Sequence, residues 1–371
     1  MFTTLSRRHG RPTLAAMLLA GGALLLAACS SSSSSSSSPV SSAAGSSSSA
    51  AGASASPAPA AAENFTMLLP WYADPEGGGF FAAQEEGLYA KAGLNVTIQS
   101  GGPQVSETTL VATGRAQIGF TDAAGIVEAE QQGIPIIAVG ALYQNNPVGV
   151  MVHSSTGITS FNQMAGKTWV VQTGQLGPAW VEKQDKISFQ TQAYEGSIAA
   201  FLKSPGLVQQ GWATNEAYQA QQAGVKVNFI PFSTSGFNPY NDVFFTSKSF
   251  LATHKAELEK FLAASMQGWQ DYMGNITAAT TANAALLKAN NQQTSKSVWY
   301  AWDKERPFVT WGDGKTQLGA MTTARWSTFL DQLVALGQIK SKPPLSSLYD
   351  PSLLPTIPAP ASFPPAPAGS Y

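Results

Sequence analysis

The stretch AQIGFTDAAGIVEAEQQGIPIIAVGAL, residues 116–142, sets the pattern for the rest of the chain. Ala116 to Thr121 reads as a short strand, and Ala123 to Gln132 carries helical spacing up to Gly133. Ile134 to Leu142 reads as a second strand, so the stretch is a strand–helix–strand unit with Gly or Pro marking its boundaries. Upstream, Phe65 to Leu69 predicts a strand, Phe80 to Ala92 a helix closed by Gly93, Leu94 to Gln99 a strand with Val96 and Ile98 on one face, and Val105 to Thr113 a helix. Downstream, a second series begins with a strand at Lys167 to Val171 and a helical patch after Gly177. It continues through Ile187 to Thr191, Ser197 to Lys203, Leu207 to Trp212, a helix over Thr214 to Ala223, and Val225 to Pro231. Such recurrence predicts an α/β architecture with largely parallel strands.

Beyond Asn241 the pattern turns helical. Leu258, Phe261, Leu262, Met266, Trp269 and Met273 mark one face of a long helix, with Thr253 as its expected N-cap. Trp326, Phe329, Leu330 and Leu333 mark another helix, stopped at Gly337. At this spacing the aromatic stripes read as core.

The two ends read differently. Arg7, Arg8 and Arg11 precede an apolar run from Leu14 to Ala28, the order of an export signal, and the run is shorter than the ~20 residues a spanning helix needs. Leu26-Ala27-Ala28-Cys29 resembles the lipobox of bacterial lipoproteins, which implies lipidation of Cys29 and removal of residues 1–28. Ser6-Arg7-Arg8 hints at twin-arginine export, although His9 and Gly10 stand where apolar residues would follow. Residues 29–62, nearly all Ser, Ala, Gly and Pro, predict a disordered tether with a reach on the order of 30 Å. The Pro-rich segment 343–371 is expected to lie outside the fold as well.

The remaining body of about 280 residues is large enough for two lobes. Acidic residues outnumber basic ones, 22 to 21, and the excess grows once the three signal arginines leave; no basic patch argues for nucleic acid. Cys29 is the only Cys, so the body has no disulfide or thiol chemistry, and with His153 and His254 as its only histidines the body is not expected to hold a His-based metal site. No cofactor is expected. A Gly-x-Ser-x-Gly elbow is absent, and Gly166-Lys167-Thr168 imitates the end of a phosphate loop but precedes its strand instead of following one.

One set of motifs goes further. Trp71-Tyr72-Ala73-Asp74-Pro75-Glu76-Gly77-Gly78-Gly79-Phe80-Phe81-Ala82-Ala83-Gln84 leads into Glu85-Glu86-Gly87-Leu88-Tyr89 and Ala92-Gly93-Leu94-Asn95-Val96. There follow Gly114-Arg115-Ala116-Gln117-Ile118-Gly119, Gly133-Ile134-Pro135-Ile136, Gly157 to Phe161 with Gly166-Lys167-Thr168, Thr214-Asn215-Glu216 and Pro239-Tyr240-Asn241-Asp242. In this order they resemble the family of binding proteins for thiamine pyrimidine precursors, with relatives for riboflavin, nitrate, sulfonates and taurine. The resemblance implies a two-lobed type II periplasmic-binding-protein fold, each lobe a mostly parallel sheet flanked by helices. Lobe 1 would comprise 63–146 and 239–342, lobe 2 147–238, with crossings near Gln144 to Gly149 and Phe237 to Phe244. It further implies an extracytoplasmic, lipid-anchored, monomeric binding protein serving the permease and ATPase of an ABC importer. Two departures stand out: Gly77 where members often carry His, and Gln117 where they often carry Asp. The Cys-rich stretch and His of the related yeast-type pyrimidine synthases are missing.

Under that resemblance the ligand would sit in the interlobe cleft. Gly77, Gly78 and Phe80 open a helix whose free N–H groups suit an anion or a carbonyl, or simply form a loop-to-helix turn. Thr173, Gly174 and Gln175 would supply the facing start from the second lobe. Trp71, Tyr72 and Asp74 follow the first strand, where open α/β sheets place ligands. Asp122 reads equally as ligand acceptor or N-cap, and Glu216 as ligand acceptor or as a carboxylate complementing its helix dipole, with Asn215 beside it. Tyr143 and Tyr240 lie on the crossings, and Trp212 ends a strand. Aromatic residues with few cations favour a thiamine-pyrimidine- or riboflavin-like heteroaromatic ligand over a sulfonate, nitrate or taurine, which would want Arg or Lys. A carboxylate-dependent extracellular enzyme, or a sensor or adhesin on the same fold, are the competing classes.

Overall fold

The computed structural model describes residues 62–371 except position 103. The expectations for the export signal, Cys29 and the tether up to residue 61 therefore lie outside the described residues. Among those described, no helix is long and apolar enough to cross a membrane.

The first half contains β1 (Glu63–Leu68), α1 (Gly78–Glu85), α2 (Leu88–Lys91), β2 (Leu94–Gln99), α3 (Glu107–Ala112), β3 (Gly119–Thr121), α4 (Ala123–Gln131) and β4 (Ile136–Tyr143). The expected helix over Phe80 to Ala92 is interrupted because Gly87 adopts a left-handed φ of 68°, so α1 and α2 form instead. The second half contains β5 (Val148–His153), β6 (Thr168–Val171), α5 (Leu176–Asp185), β7 (Gln190–Ala193), α6 (Ala199–Lys203), β8 (Val208–Trp212), α7 (Glu216–Gln222) and β9 (Val227–Pro231). The chain then returns through β10 (Asn241–Ser247) to α8 (Lys248–Thr253), α9 (Lys255–Gly274), α10 (Ile276–Ala289), α11 (Ser295–Val309), α12 (Thr323–Ala335) and α13 (Leu345–Leu348).

β1 pairs parallel with β2, and a parallel bridge from Met67 to Ile118 carries the first sheet on to β3, β10 and β4. The second sheet runs β7-β6-β8-β5-β9. The two orders match, strand for strand, and in each the fourth strand is antiparallel to both neighbours. Those two strands, β10 and β5, are the ones that a crossing delivers from the other sheet. Sequence patterning missed both. Val148 to His153 and Asn241 to Ser247 are buried on both faces, so neither shows the alternation that marks a half-exposed strand.

Helix α9 fills the first half. Leu258, Phe261, Leu262, Met266, Trp269 and Met273 are all fully buried, and Phe261 stacks on Phe65 at 4.5 Å and on Tyr89 at 5.5 Å. The helix starts after His254; Thr253, the expected cap, instead ends α8 with its hydroxyl donating to the Ser249 carbonyl. α1 crosses α9 with no side chain between them: a Cβ on Gly268 would lie 2.3 Å from the Gly79 carbonyl oxygen. The two sheets share apolar packing, because one buried cluster runs from Leu68, Val127 and Phe245 through Val150 to Trp169.

The Pro-rich segment 343–371 proves to be part of the fold, a correction to the expectation. Its prolines deny it regular hydrogen-bonded structure beyond α13, yet Leu348, Leu353 and Leu354 are buried against the body. Tyr349 bridges to Ala138, Leu318 N–H donates to the Ile357 carbonyl, and the terminal Tyr371 hydroxyl donates to Asp303 at 2.7 Å.

Both crossings are held by one guanidinium. Arg325 Nε donates to the Asn238 carbonyl at 2.9 Å, Nη1 donates to the Gln144 carbonyl, and the group lies 3.9 Å from the Tyr240 ring centroid. Asn146 N–H donates to Asn238 Oδ1, tying one crossing directly to the other.

Candidate functional site: an acidic cleft between the sheets

A cleft of about 1130 Å³ opens between the two sheets, just above the usual range for small-molecule sites. One wall carries Trp71, Asp74, Glu76 and Asp122, which follow β1 and β3 at their carboxyl ends. The other carries Gly174, Gln175, Trp212, Asn215 and Glu216 from the loops after β6 and β8. Asn146, Pro239, Asn241 and Asp242 close it at the crossings, and Ala301 and Glu305 of α11 close it from the side. Among the described residues eight carboxylate side chains line the cleft, and no Lys, Arg or His does.

The expected residues divide into three groups. Trp71, Asp74, Asp122, Gly174, Gln175, Trp212, Asn215 and Glu216 all reach the cleft. Tyr72 and Thr173 flank it; Tyr72 is 41% exposed and packs edge-on to Trp71 at 5.5 Å. The others do not line it, and packing gives the reason. Phe80 is buried edge-on to Phe120 and Trp269. Gly77 and Gly78 are buried, and a Cβ on Gly78 would lie 2.2 Å from the Tyr272 ring, so the glycines admit neighbouring side chains and not a ligand. Tyr143 stands behind the wall with its hydroxyl donating to Glu305 at 3.4 Å, and the Tyr240 hydroxyl accepts from Thr322 N–H at 2.9 Å.

Asp122 proves to be the N-cap of α4, accepting from Gly125 N–H at 2.8 Å. Glu216 is equally engaged: Oε2 accepts from Trp212 N–H at 2.6 Å and Oε1 from the Tyr194 hydroxyl at 2.9 Å. It thereby fixes the strand-to-helix turn and presents Tyr194 to the cleft.

Glu305 and Asp242 are among the lining residues that escaped the sequence reading. Glu305 is fully buried on α11, a helix whose aromatic pattern reads only as core, and its Oε1 has no hydrogen-bond partner. Asp242 is 3% exposed, sits at a left-handed φ of 47°, and its Oδ2 is likewise unpartnered. The Pro239 to Asp242 motif was a signal for the second; nothing local marks the first. The left-handed backbone of a non-Gly residue beside a cleft is strain of the kind found at functional sites.

Burial pushes the Asp74 carboxyl up to about 7, against the opposing hydrogen bond from Glu76 N–H. Burial raises Glu76, Asp242 and Glu305 well above the usual carboxylate range, and the negative charge of Asp74 raises each of them further. A carboxyl whose folded-state value is raised holds its proton more tightly folded than unfolded. Its stabilising contribution is therefore complete below the ordinary range near 4 and is lost as pH rises through about 7 and beyond. The melting temperature of the unliganded chain should fall by roughly 3–6 °C from pH 5 to pH 8, and Glu305→Gln should flatten that fall, as read by scanning calorimetry. A melting temperature that climbs over this interval would contradict the assignment.

Among the described residues no three His, Cys, Asp or Glu side chains converge to hold a metal ion. His153 is buried with Nε2 at the Phe201 carbonyl, and His254 pairs with Thr253; neither lines the cleft.

Comparison with solved structures gives the aliphatic sulphonate binding protein SsuA of Escherichia coli, at a TM-score of 0.62 and 13% identity, covering 81% of this chain and 97% of that one. The shared fold is the type II periplasmic-binding-protein fold. Among curated proteins, the riboflavin-binding protein RibY of Chloroflexus aurantiacus is 23% identical over 225 residues, 57% of this chain and 63% of that protein. A 4-amino-5-hydroxymethyl-2-methylpyrimidine phosphate synthase of Uromyces fabae is 28% identical over 127 residues, 34% of this chain and 37% of that protein. The matched segments thus span less than two thirds of either relative. The sequence model described as NMT1/THI5 like matches residues 74–279, which contain most of the cleft lining and both crossings. The chain belongs to the NMT1/THI5-like family.

Proposed function

We propose that this chain is an extracytoplasmic solute-binding protein, lipid-anchored through Cys29 to the outer face of the cell membrane, that captures one small heteroaromatic molecule for an ABC importer. The observation that carries the reading is the cleft itself. Its walls come from two sheets of matching strand order, and among the described residues the backbone passes between them in two short crossings clamped by Arg325. Residues 63–146 with 239–342, and residues 147–238, are then two lobes that hinge on those crossings and close over the ligand.

Trp71 supports an aromatic guest. It is 47% exposed at the cleft edge, an unusual setting for so large an apolar side chain unless a flat partner covers it on closure. A thiamine-pyrimidine- or riboflavin-like ring fits this surface and the acceptor-rich lining. A sulfonate, nitrate or taurine headgroup fits poorly, since the lining offers no cationic side chain. Capture is favoured over turnover because neither His reaches the cleft, although relatives named as synthases share part of the sequence.

Intrinsic tryptophan fluorescence titration with 4-amino-5-hydroxymethyl-2-methylpyrimidine, riboflavin and taurine tests the reading. One of the two heteroaromatics should bind one per chain, and Trp71→Ala should weaken it about tenfold with no loss of thermal stability. Saturable binding of taurine alone would defeat the aromatic reading.

A further inference from the structure

The lining poses an electrostatic problem that a neutral guest leaves unsolved. Glu305 and Asp242 are buried to 0% and 3% exposure, each with one carboxylate oxygen that has no donor in the protein. Asp74 stands close enough that its negative charge raises Glu76, Asp242 and Glu305. Among the described residues no Lys, Arg or His lines the cleft to balance them; Lys304 and Arg306, which flank Glu305 in sequence, both pair with Asp303, and Arg306, stacked 3.8 Å from the Trp302 ring centroid, offsets only part of the rise at Glu305. A buried carboxylate without donor or counter-charge is strongly unfavourable, so in the empty cleft these groups hold protons. A protonated acid retains one donor and offers acceptors, yet one oxygen of Glu305 and one of Asp242 remain without a donor in the protein.

We propose that the captured molecule is an organic cation, a planar nitrogen base bound in its charged, N–H-donating form, whose donors pair with Glu305 and Asp242. The proposal rests on the capture reading above and narrows it to a charge class. An amidine-like edge, with two parallel N–H donors, meets a carboxylate in the bidentate geometry that makes such pairs short and selective. Trp71 at the cleft edge would take the face of the same delocalised cation, which aromatic rings attract through their quadrupole. The carboxyls are spread along the wall and do not converge on a point, which suits an extended organic guest. Binding then expels the protons that the empty cleft holds, so affinity rises with pH across the neutral range. The charged and titratable groups around this cluster are Asp122 at the start of α4, Glu216 on α7, Tyr143 behind Glu305, Tyr272 on α9, and Arg306 next to Glu305 on α11.

The test uses three probes of one size: benzamidine, cationic at neutral pH, its neutral isostere benzamide, and the anion benzenesulfonate. Each is titrated into the full chain at pH 7.5 with tryptophan fluorescence and ligand-observed NMR as readouts. Benzamidine should bind at least ten times more tightly than benzamide, with benzenesulfonate weakest. In the Glu305→Gln, Asp242→Asn double variant the preference should collapse to within about twofold, while the melting temperature at pH 7.5 stays at or above that of the parent. That last condition separates lost recognition from lost folding. Benzamide or benzenesulfonate binding in the cleft as tightly as benzamidine removes the charge assignment and leaves capture standing, as does a preference that survives the double variant. If none of the three binds and riboflavin and the aminopyrimidine also fail, capture itself falls.

Discussion

Gly268→Val should lower the melting temperature by roughly 10 °C, corresponding to a loss of about 4 kcal/mol. α1 and α9 approach backbone to backbone at this point. A Cβ on Gly268 would meet the Gly79 carbonyl oxygen at 2.3 Å, the Ala83 methyl at 2.6 Å and the Ala83 nitrogen at 2.7 Å. None of these is the end of a flexible side chain, so the helices must separate, and the aromatic layer of Phe80, Trp269 and Tyr272 separates with them. Because α1 and the Asp74 to Gly77 turn are continuous, the cleft wall should move as well. Gly268→Ala should show a smaller loss, and Glu259→Ala, exposed on the same helix, none. Thermal denaturation followed by circular dichroism reads all three. A valine variant as stable as the parent would mean that the helices do not cross so closely.

The second large effect concerns the crossings. Arg325→Ala removes the donors to the Asn238 carbonyl at 2.9 Å, to Asn238 Oδ1 at 3.2 Å and to the Gln144 carbonyl, together with the cation stacked on Tyr240. These are charge-assisted bonds in a mostly buried setting that pushes the Arg325 value down to about 10, so their loss should exceed that of surface pairs, at about 2–4 kcal/mol. The more telling readout is local. Amide hydrogen exchange should accelerate at Asn146 and over 236–241, where the crossings run, and remain unchanged in the middle of α9. Arg325→Lys should not restore protection, since one ammonium cannot reach two crossings and a ring at once. Uniform acceleration over the whole chain would instead make Arg325 an ordinary stability residue without a special relation to the crossings.

Much of the α/β alternation was legible because glycines and prolines punctuate it. The unit from Ala116 to Leu142 appears as β3, α4 and β4 within a few residues of its expected bounds, and the periodic faces of α9 and α12 are buried as their spacing implied. What escaped did so for separate physical reasons. β5 and β10 are buried on both faces and carry no alternation, so the two strands that interlock the sheets looked like connections. The tail from residue 343 was judged by its prolines, when its fate is decided by three leucines that find apolar partners. At the site, the residues that follow β1, β3, β6 and β8 were readable, because strand ends in open sheets converge on one edge. Glu305 was not. Its role depends on α11 coming to lie beside a cleft built by chain more than 60 residues upstream, and no local pattern encodes that. The glycines at 77 and 78 show the converse: a motif that suggests ligand approach locally is used for packing, because Leu69 fills the space over Gly77 and Tyr272 arrives from α9 to fill that over Gly78.

Native mass spectrometry of the full chain, as purified and after incubation with growth-medium extract, tests the account at its centre. The expected spectrum shows a single adduct of one small molecule per chain that is released on denaturation. The released compound should be an unaltered heteroaromatic base, and both Trp71→Ala and Glu305→Gln should deplete the adduct from chains that remain folded. Bare protein in every preparation, or release of a chemically altered product that accumulates with time, would contradict capture between two closing halves.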